Sequence, residues 1–384
     1  MKINLTTIIR QALTSLGWGI GGLVFLSSCG SSTSPDVDGG DTLKLKYSQL
    51  LTIVKHERYV QVKVADPWNK GKTLHTYLLV PRADSSRAIH LPEGTVVYTP
   101  VKRSVVFTTA HCQLLQYLKS TDAIKGVCDL PYILIPDIQQ RARSGKIADC
   151  GNGMSPIVEK IISLRPQAML LSPFENSGGY GKLQQIDIPI IECADYMETS
   201  ALGRAEWMRF YGMLYGQEHR SDSLFHVVDS TFQSLRNMAK MLPQGRSIIT
   251  ERKTGAVWYC PGGRSTVGQM IADANGRYAF ANDRHSGSLA LPFEQVLEKA
   301  GHTDVWAFKY NGNHPMSRAD LLAEYHGYKG LHAFCAGEIY ECNCSTIPYF
   351  EQVPFRPDFL LRELIILLHP NVKTLGKQRY YVHI

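Results

Sequence analysis

Short apolar runs alternate with amphipathic segments along most of the chain. Runs such as SVVFTT, QAMLLSP, PIIECA and DVWAFKYN are almost continuously apolar, which is typical of strands buried on both faces of a sheet. Between them lie segments whose apolar residues recur every three or four positions, the spacing of one helix face. The alternation occurs before and after residues 217–243. It predicts two doubly wound α/β lobes with mainly parallel sheets, over residues 101–216 and 244–384.

One long amphipathic segment separates the two halves. In QEHRSDSLFHVVDSTFQSLRNMAKML, Ser221 or Asp222 offers an N-cap and Pro243 ends the segment. A helix of this length spans roughly 35–40 Å, so residues 217–243 are predicted to bridge the lobes. The stripe predicted to pack against both lobes comprises Leu224, Val228, Phe232, Leu235, Ala239 and Leu242.

Three shorter segments carry clear helix signals. SPIVEKIISLRP predicts a helix with Ser155 as its N-cap, and STVGQMIADANG predicts one with Ser265 as its N-cap. ALGRAEWMRFYGMLYG reads as a single amphipathic helix. Each follows or precedes an apolar run, as the α/β alternation requires.

Residues 42–100 follow a different pattern. YVQVKVADPW and TLHTYLLVPR both alternate between apolar and polar positions, and NKGK lies between them. This arrangement predicts a β-hairpin. We therefore expect a small β-rich extension ahead of the first lobe.

The N-terminus has the features of a lipoprotein signal peptide. Lys2 and Arg10 precede a glycine-interrupted apolar region, and LSSC at residues 26–29 matches the bacterial lipobox. The alternative, a transmembrane helix, needs about 18–20 uninterrupted apolar residues, and four glycines break this run. We predict cleavage after residues 1–28 and lipid attachment to Cys29, which places the protein in the cell envelope, facing the periplasm or the exterior.

Composition and charge fit a globular protein on a tether. Of the 384 residues, 44% are hydrophobic and 20% charged, and the formal net charge is +7. Loss of Lys2 and Arg10 with the signal peptide lowers that charge to +5. These charges are dispersed and form no basic stripe, so no nucleic-acid partner is predicted. Residues 29–41 are rich in Gly, Ser and Asp and predict a flexible tether.

The cysteines and the search for catalytic motifs do not identify a functional site. Eight cysteines follow Cys29, and several lie inside strand-like runs, which favours buried thiols, although their spacing leaves disulfide pairing open. Cys342 and Cys344 match no common zinc spacing, so we predict no metal site. The chain has no G-x-S-x-G, P-loop, H-E-x-x-H or G-x-G-x-x-G motif in a suitable context. These absences argue against a hydrolase, an ATPase or a dehydrogenase.

An ordered set of segments carries a resemblance to a known family. RSVVFTTAHCQLLQYLKSTDAIKGVCD, SPIVEKIISLRPQAMLL, WYCPGGRSTVGQMIADANG, LPFEQVLEKAGHTDVW and RPDFLLRELIILLHP occur in this order within residues 102–370. Together they resemble the iron-chelate and cobalamin family of substrate-binding proteins, which serve ATP-driven (ABC) importers. The resemblance implies two lobes bridged by one long helix, an importer permease as partner, and neither enzymatic activity nor a resident cofactor. Residues 42–100 lie outside it.

The resemblance gives two glutamates a role. In this family, one glutamate on each lobe docks an arginine cluster of the permease, and the matching positions are Glu159 and Glu294. Carboxylates in the first turns of two helices, on lobes held at a fixed separation, are suited to such two-point recognition. The alternative is that each carboxylate only complements its helix dipole.

Glycine-rich loops at strand-to-helix junctions indicate the ligand site, because open α/β sheets bind ligands at that edge. Arg264 and Arg284 can hold an anionic chelate through bidentate contacts, and aromatic rings can stack on a flat ligand. His111 also reads as a buried residue near a helix cap. The predicted ligand-binding residues are His111, Tyr132, Met154, Tyr180, Arg264, Arg284 and His285.

The sequence thus predicts a lipid-anchored solute-binding protein. Its expected ligand is an iron chelate, either a siderophore or haem, which it delivers to an ABC importer. Cobalamin or another corrinoid is the alternative within the family. Outside the family, the alternatives are a chelate-processing lipoprotein enzyme and an adhesion or structural lipoprotein. A single bridging helix also predicts that the lobes close only slightly on a ligand.

Overall fold

The computed structural model describes residues 39–85, 90–175 and 179–384. The predicted signal peptide and Cys29 lie outside the described residues, so their predictions stand as made. Among the helices that are described, none combines the length and the apolar character needed to cross a bilayer.

The extension is a five-stranded sheet. β3 and β4 form the predicted antiparallel hairpin, and the strand order is β1-β2-β3-β4-β5, with a parallel β4–β5 pair at one side. Its inner face, with Ile53, Val62 and Tyr77 fully buried, shares one hydrophobic core with the lobe that follows. The strands are β1 (Asp41–Thr42), β2 (Leu51–Lys55), β3 (Val60–Ala65), β4 (Thr73–Pro81) and β5 (Thr95–Thr99).

Two buried carboxylates fasten the extension to the first lobe. Glu206 accepts hydrogen bonds from the backbone N–H groups of residues 46–48 at 2.7–2.9 Å. Glu198 accepts from the N–H groups of Gln49 and Leu50 and from the indole of Trp207. Charge-assisted bonds to otherwise unpaired backbone donors are among the stronger polar contacts in proteins. The extension is therefore held by polar contacts as well as by apolar packing.

The N-terminal lobe contains a five-stranded parallel sheet of order β12-β11-β6-β7-β8. The order reverses between β6 and β11, as in a doubly wound fold. The strands are β6 (Ser104–Val106), β7 (Ile124–Val127), β8 (Ala148–Asp149), β9 (Gly151–Asn152), β10 (Ser155–Pro156), β11 (Ala168–Leu171) and β12 (Ile190–Glu192). The helices are α1 (Thr109–Tyr117), α2 (Pro136–Arg143), α3 (Val158–Ser163), α4 (Ala201–Glu206) and α5 (Met208–Tyr215).

Two helix predictions in this lobe were wrong in detail. Ser155 does not cap α3, because Ser155 and Pro156 instead pair antiparallel with β9 and the helix begins at Val158. The segment predicted as one helix is divided at Trp207, whose N–H bonds to the carbonyl of Arg204, a tighter turn than that of an α-helix. The Trp207 ring is fully buried, and its indole N–H donates to Glu198 Oε1 at 2.9 Å.

The bridging helix α6 (Glu218–Met241) is 24 residues long and packs against α4 and α5 on one side and against α7 and α12 of the second lobe on the other. Its N-cap is Gln217, so the prediction of Ser221 or Asp222 was wrong. Ser221 is instead buried against α5, where a Cβ on Gly212 would lie 2.1 Å from its Oγ. The buried stripe comprises Ser221, Phe225, Val228, Phe232, Leu235 and Ala239.

The C-terminal lobe has a four-stranded sheet of order β13-β17-β18-β19, in which only β19 is antiparallel. β14, β15 and β16 form a separate antiparallel sheet. The predicted α/β class with mainly parallel sheets is confirmed. The strands are β13 (Ile248–Thr250), β14 (Lys253–Thr254), β15 (Val257–Pro261), β16 (Ser288–Leu291), β17 (Val305–Tyr310), β18 (Ile339–Asn343) and β19 (Val382–His383). The helices are α7 (Thr266–Asp273), α8 (Phe293–Ala300), α9 (Arg318–Glu324), α10 (His332–Ala336), α11 (Tyr349–Gln352) and α12 (Pro357–Leu368).

Candidate functional site

The N-terminal lobe carries a cavity of about 800 Å³ at the carboxyl ends of its strands. Phe107 and Thr108 follow β6, Asp129 follows β7, and Ser172 follows β11; all four line the cavity. β6 and β11 are the neighbours between which the strand order reverses. In open α/β sheets, the crevice at such a reversal is where ligands bind. We call this space the N-terminal cavity.

The lining of the N-terminal cavity is mainly apolar and aromatic. Met154 is 78% exposed and Phe174 is 47% exposed, so both present apolar surface to solvent. Large exposed apolar side chains grouped at one concave site mark a place where another molecule binds. The apolar and aromatic lining residues are Phe107, Met154, Pro156, Val158, Leu171, Pro173, Phe174, Tyr180, Leu183 and Tyr196.

Asp129 fixes the shape of one wall of this cavity. Its backbone is left-handed, with φ of 53°, and its carboxylate accepts a hydrogen bond from Gly153 N at 3.2 Å. A Cβ at Gly153 would lie 2.7 Å from Asp129 Oδ2. A side chain at position 153 would therefore displace the Asp129 carboxylate from its contact with this loop.

The C-terminal lobe has its own cavity, of about 530 Å³, at the carboxyl ends of β13 and β17. This C-terminal cavity is lined by Glu251, Arg252 and Lys309, together with Tyr259 and several small hydroxyl residues. Glu251 forms an ion pair with the ammonium of Lys309. Burial alone would lower the pKa of Lys309, but Tyr349 and Glu251 raise it above its ordinary value. Lys309 is therefore a fixed positive charge in this cavity.

The backbone at Glu251 is also left-handed, with φ of 63°. Its carbonyl accepts a hydrogen bond from the indole of Trp306 at 2.7 Å, and its N–H donates to the carbonyl of Ala307 at 3.1 Å. Non-glycine residues adopt this conformation only where surrounding contacts hold them, and such positions cluster at functional sites. Asp129 and Glu251 thus each lie just after a strand of their own lobe in a left-handed conformation.

Contacts between the lobes lie beside both cavities. Thr109, next to Thr108 of the N-terminal cavity, donates from Oγ1 to Glu351 Oε1 of α11 at 2.8 Å. Gln269, in the helix whose first residues line the C-terminal cavity, donates from Nε2 to the carbonyl of Thr199 at 3.0 Å. Each of these contacts between the lobes therefore involves a residue close in sequence to the lining of a cavity. We refer to the two cavities together as the cleft.

His111 lies in a buried polar network. It is 2% exposed, and its Nε2 lies 2.9 Å from both Asp195 Oδ1 and the hydroxyl of Tyr211. Burial alone would lower the pKa of His111, but Cys193 and Asp195 raise it to about 10. Arg204 donates to the other oxygen of Asp195 at 3.0 Å. The network joins α1, the turn after β12, α4 and α5, and His111 does not line either cavity.

His111, Cys193 and Asp195 have the donor atoms of a metal site, since these atoms lie within 4.8 Å of one another. However, His111, Tyr211 and Arg204 already bond to both oxygens of Asp195, which satisfies the carboxylate without an ion. The eight described cysteines are free, and only Cys335 is exposed. The group is better explained as an ion-pair network that positions the first turn of α1.

Of the other predicted ligand residues in the first lobe, Met154 and Tyr180 line the N-terminal cavity. Tyr132 is 75% exposed and lies outside the described lining of both cavities. Burial and the nearby Glu192 raise the pKa of Tyr180 above its ordinary value. Tyr180 is therefore a neutral hydrogen-bonding ring in the cavity wall.

In the second lobe, Arg264 and His285 come together because Arg264 N donates to the carbonyl of His285 at 3.1 Å. The side chains of Arg264, Arg284 and His285 are exposed and do not line the cavity. Their neighbours Ser265 and Ser286 do line it. The structure thus places the predicted basic residues at the rim of the C-terminal cavity.

Glu159 and Glu294 occupy the first turns of α3 and α8, one on each lobe, and both are exposed. Glu159 also borders the N-terminal cavity. These positions are accessible to a partner. The role in permease docking stays a prediction.

The sequence reasoning missed several lining residues, above all Lys309, Glu251, Phe174 and Tyr196. A signal existed for Lys309, which is a charged residue near the carboxyl end of the apolar run VWAFKY. Glu251 likewise directly follows the buried strand β13. Polar residues at those two positions would have indicated the sheet edge.

Comparison with known proteins assigns the fold and the family. Residues 105–345 match the sequence profile described as "Periplasmic binding protein". The uncharacterized lipoprotein MJ0878 of Methanocaldococcus jannaschii is 24% identical over 302 residues, which cover 75% of this chain and 70% of that protein. A second uncharacterized lipoprotein of that organism, MJ0872, is 21% identical over 82% of this chain and 83% of its own length.

Solved structures share the fold at low sequence identity. A periplasmic binding protein from Veillonella parvula superposes with a TM-score of 0.57 at 14% identity, covering 83% of this chain and 94% of that one. The petrobactin-binding protein YclQ of Bacillus subtilis gives 0.56 at 17% identity, covering 80% and 99%. A periplasmic haem-binding protein from Pseudomonas aeruginosa gives 0.55 at 13% identity, covering 70% and 93%.

Proposed function

Because this chain belongs to the periplasmic binding protein family, we propose that it is the substrate-binding protein of an ABC importer and that it captures an iron chelate in the cleft. A siderophore or haem is the proposed ligand. The protein binds its ligand without making or breaking bonds. Two of its structural neighbours are a petrobactin-binding and a haem-binding protein, which supports this choice.

The observation that carries the proposal is the contrast between the two faces of the cleft. The N-terminal cavity offers the exposed side chains of Met154 and Phe174, while the C-terminal cavity offers the cations Arg252 and Lys309. A flat, largely apolar ligand that carries negative charge complements both faces. Haem, with its two carboxylates, and anionic ferric chelates have this character.

The proposal includes an anchor and a docking partner. Lipidation of Cys29 would hold the protein at the membrane, and two curated relatives are named lipoproteins. Glu159 and Glu294 would then bind arginines of the importer permease, one from each lobe. Arginine and carboxylate form bidentate, charge-assisted pairs, which suit a docking contact of defined geometry.

A thermal-shift panel tests the ligand assignment. A ligand that binds only the folded state stabilises it by RT ln(1 + [L]/Kd), about 2.7 kcal/mol when its concentration is 100 times Kd. We expect the melting temperature to rise with haem or with one ferric siderophore and to stay constant with unrelated sugars or amino acids. The visible spectrum of protein purified from its host should show the same ligand.

The panel also separates the alternatives. A shift with a corrinoid alone would replace the iron chelate with cobalamin and keep the binding role. Conversion of a bound chelate to a new product would assign the enzymatic alternative instead. If haem, ferric chelates and corrinoids all leave the melting temperature unchanged, the proposed function is wrong.

A further inference from the structure

A separate cavity of about 580 Å³ lies between the extension sheet and the N-terminal lobe. His75 of β4 and Thr95 of β5 form one wall, and residues 184–192 of the lobe form the opposite wall. The family profile begins at residue 105, so one wall of this cavity is built by strands outside the matched region. We call this space the extension cavity.

The extension cavity is acidic. Among the described residues that line it, Asp187 and Glu192 are acids, and Lys and Arg are absent. The C-terminal cavity, in contrast, is lined by two cations and a single acid. A cavity whose charged groups are carboxylates attracts a cation rather than an anionic chelate.

Glu192, which lines this cavity, has a carboxylate oxygen that accepts no hydrogen bond from the described residues. Its side chain is only 13% exposed, its Oε1 accepts a hydrogen bond from the hydroxyl of Tyr180 at 3.2 Å, and its Oε2 accepts no hydrogen bond from the described residues. A buried carboxylate oxygen without a donor or cation is unfavourable, so a bound cation would satisfy it.

His75 faces that oxygen in a fixed orientation. Its Nε2 lies 2.8 Å from Thr95 Oγ1, and its ring stacks on Tyr77 with centroids 4.3 Å apart. Its Nδ1 lies 3.9 Å from Glu192 Oε2. When Nε2–H donates to Thr95, the Nδ1 lone pair and the carboxylate oxygen face each other as two acceptors.

We propose that the extension cavity is a binding site for a divalent transition-metal cation, with His75 Nδ1 and Glu192 Oε2 as two of its ligands. Imidazole and carboxylate are suitable ligands for zinc, nickel and cobalt. In tetrahedral zinc geometry these two atoms would be about 3.4 Å apart, so a movement of about 0.5 Å closes the site. The hydrogen bond from Nε2 to Thr95 orients the imidazole, as outer partners do in metal sites. Asp187 also lines the cavity and adds to its negative charge.

Metal titration of the purified full chain tests the proposal. Isothermal titration with Zn²⁺ and the visible absorption of added Co²⁺ report affinity and coordination. We expect His75→Ala and Glu192→Gln each to weaken Zn²⁺ binding at this site at least tenfold and to change the Co²⁺ bands. His56→Ala removes another histidine of the extension, which lies outside the lining of the cavity, and should leave both readouts unchanged.

The Glu192→Gln variant is expected to fold as the wild type does, because glutamine is nearly isosteric with glutamate and its oxygen can still accept from Tyr180. A loss of metal binding in this variant therefore does not come from misfolding. The site assignment is overturned if the wild-type protein takes up no Zn²⁺, or if both variants bind Zn²⁺ and Co²⁺ as the wild type does. Chelate binding in the cleft should be the same in His75→Ala and in the wild type, since His75 does not line the cleft. A failure of the metal site and a failure of the proposed function therefore give different results.

Discussion

Each lobe has a cavity beside the carboxyl ends of parallel strands, and the two cavities differ in chemical character. In both, loops at the carboxyl ends of parallel strands form the walls. The N-terminal cavity is lined mainly by apolar and aromatic side chains. The C-terminal cavity contains the Glu251–Lys309 ion pair and Arg252. Sheet topology thus sets where each cavity lies, whereas the residues just after the strands set its chemical character.

The lobes also differ in what an acidic residue with left-handed backbone does after a strand. Asp129 and Glu251 both adopt left-handed φ angles after a strand. Asp129 uses its carboxylate to hold Gly153 of its own lobe, whereas Glu251 uses its carboxylate to hold the Lys309 ammonium. One strained acid therefore shapes a wall and the other fixes a charge. We expect the lobes to contribute differently to ligand affinity and equally to docking.

The largest expected effect tests whether both lobes contribute equally to docking on the permease. Glu159→Ala combined with Glu294→Ala should abolish ligand-dependent stimulation of the importer's ATPase, because each carboxylate loses a charge-assisted contact of about 1.5–3 kcal/mol. Each single variant should lose a similar part of the stimulation. ATPase assays with the importer in lipid vesicles measure both.

Glu298→Ala is the matched control, since Glu298 is exposed on the same helix as Glu294, one turn further on. It should behave as the wild type. Ligand affinity should be intact in every one of these variants. A double variant that stimulates normally, or that loses ligand affinity, would show that the two glutamates were assigned to the wrong surface.

The next effect tests the charged character of the C-terminal cavity. Lys309→Met leaves Glu251 as an unpaired, mostly buried carboxylate, and losing one partner of a buried pair typically costs about 3–5 kcal/mol. Because the Lys309 and Glu251 side chains are 18% and 26% exposed, we expect the lower end, about 3 kcal/mol of unfolding free energy. Urea denaturation measures this change.

A second variant separates stability from recognition. Lys309→Met with Glu251→Gln should recover most of the lost stability, since no uncompensated charge is left. Its affinity for an anionic chelate should still fall, and that affinity should depend less on salt than in the wild type. If the double variant binds the chelate as the wild type does, Lys309 does not contact the ligand.

Much of the fold was predictable from the sequence because its signals are local. The hairpin of β3 and β4, the Ser265 cap of α7 and the bridging helix all follow from periodicity and capping residues. The two wrong helix starts come from contacts that periodicity and capping residues do not describe. Ser155 pairs with the nearby β9 rather than capping α3, and Ser221 is covered by α5 at Gly212.

The site was predicted less well, for a related reason. The glycine-rich loops indicated the right edge of the sheets, and Met154 and Tyr180 do line the N-terminal cavity. His111, however, is drawn into a buried network by Asp195, a residue 84 positions away in sequence. The aromatic Phe174 sits in a loop without a periodic pattern. Which of many loop residues enters a cavity depends on tertiary packing, which the sequence pattern does not encode.

The smallest expected effect compares two rings with nearly the same exposure, one in each cavity. Phe174 is 47% exposed in the N-terminal cavity and Tyr259 is 48% exposed in the C-terminal cavity. If the apolar face of the ligand lies against the first lobe, Phe174→Ala should weaken binding by about 1 kcal/mol, or roughly fivefold. Tyr259→Ala should change affinity less than about twofold, because charge rather than ring contact dominates there. Titration of each variant with haem or the identified chelate gives both values. Equal losses would mean that the ligand stacks on both lobes, and the division of roles between the two cavities would then be wrong.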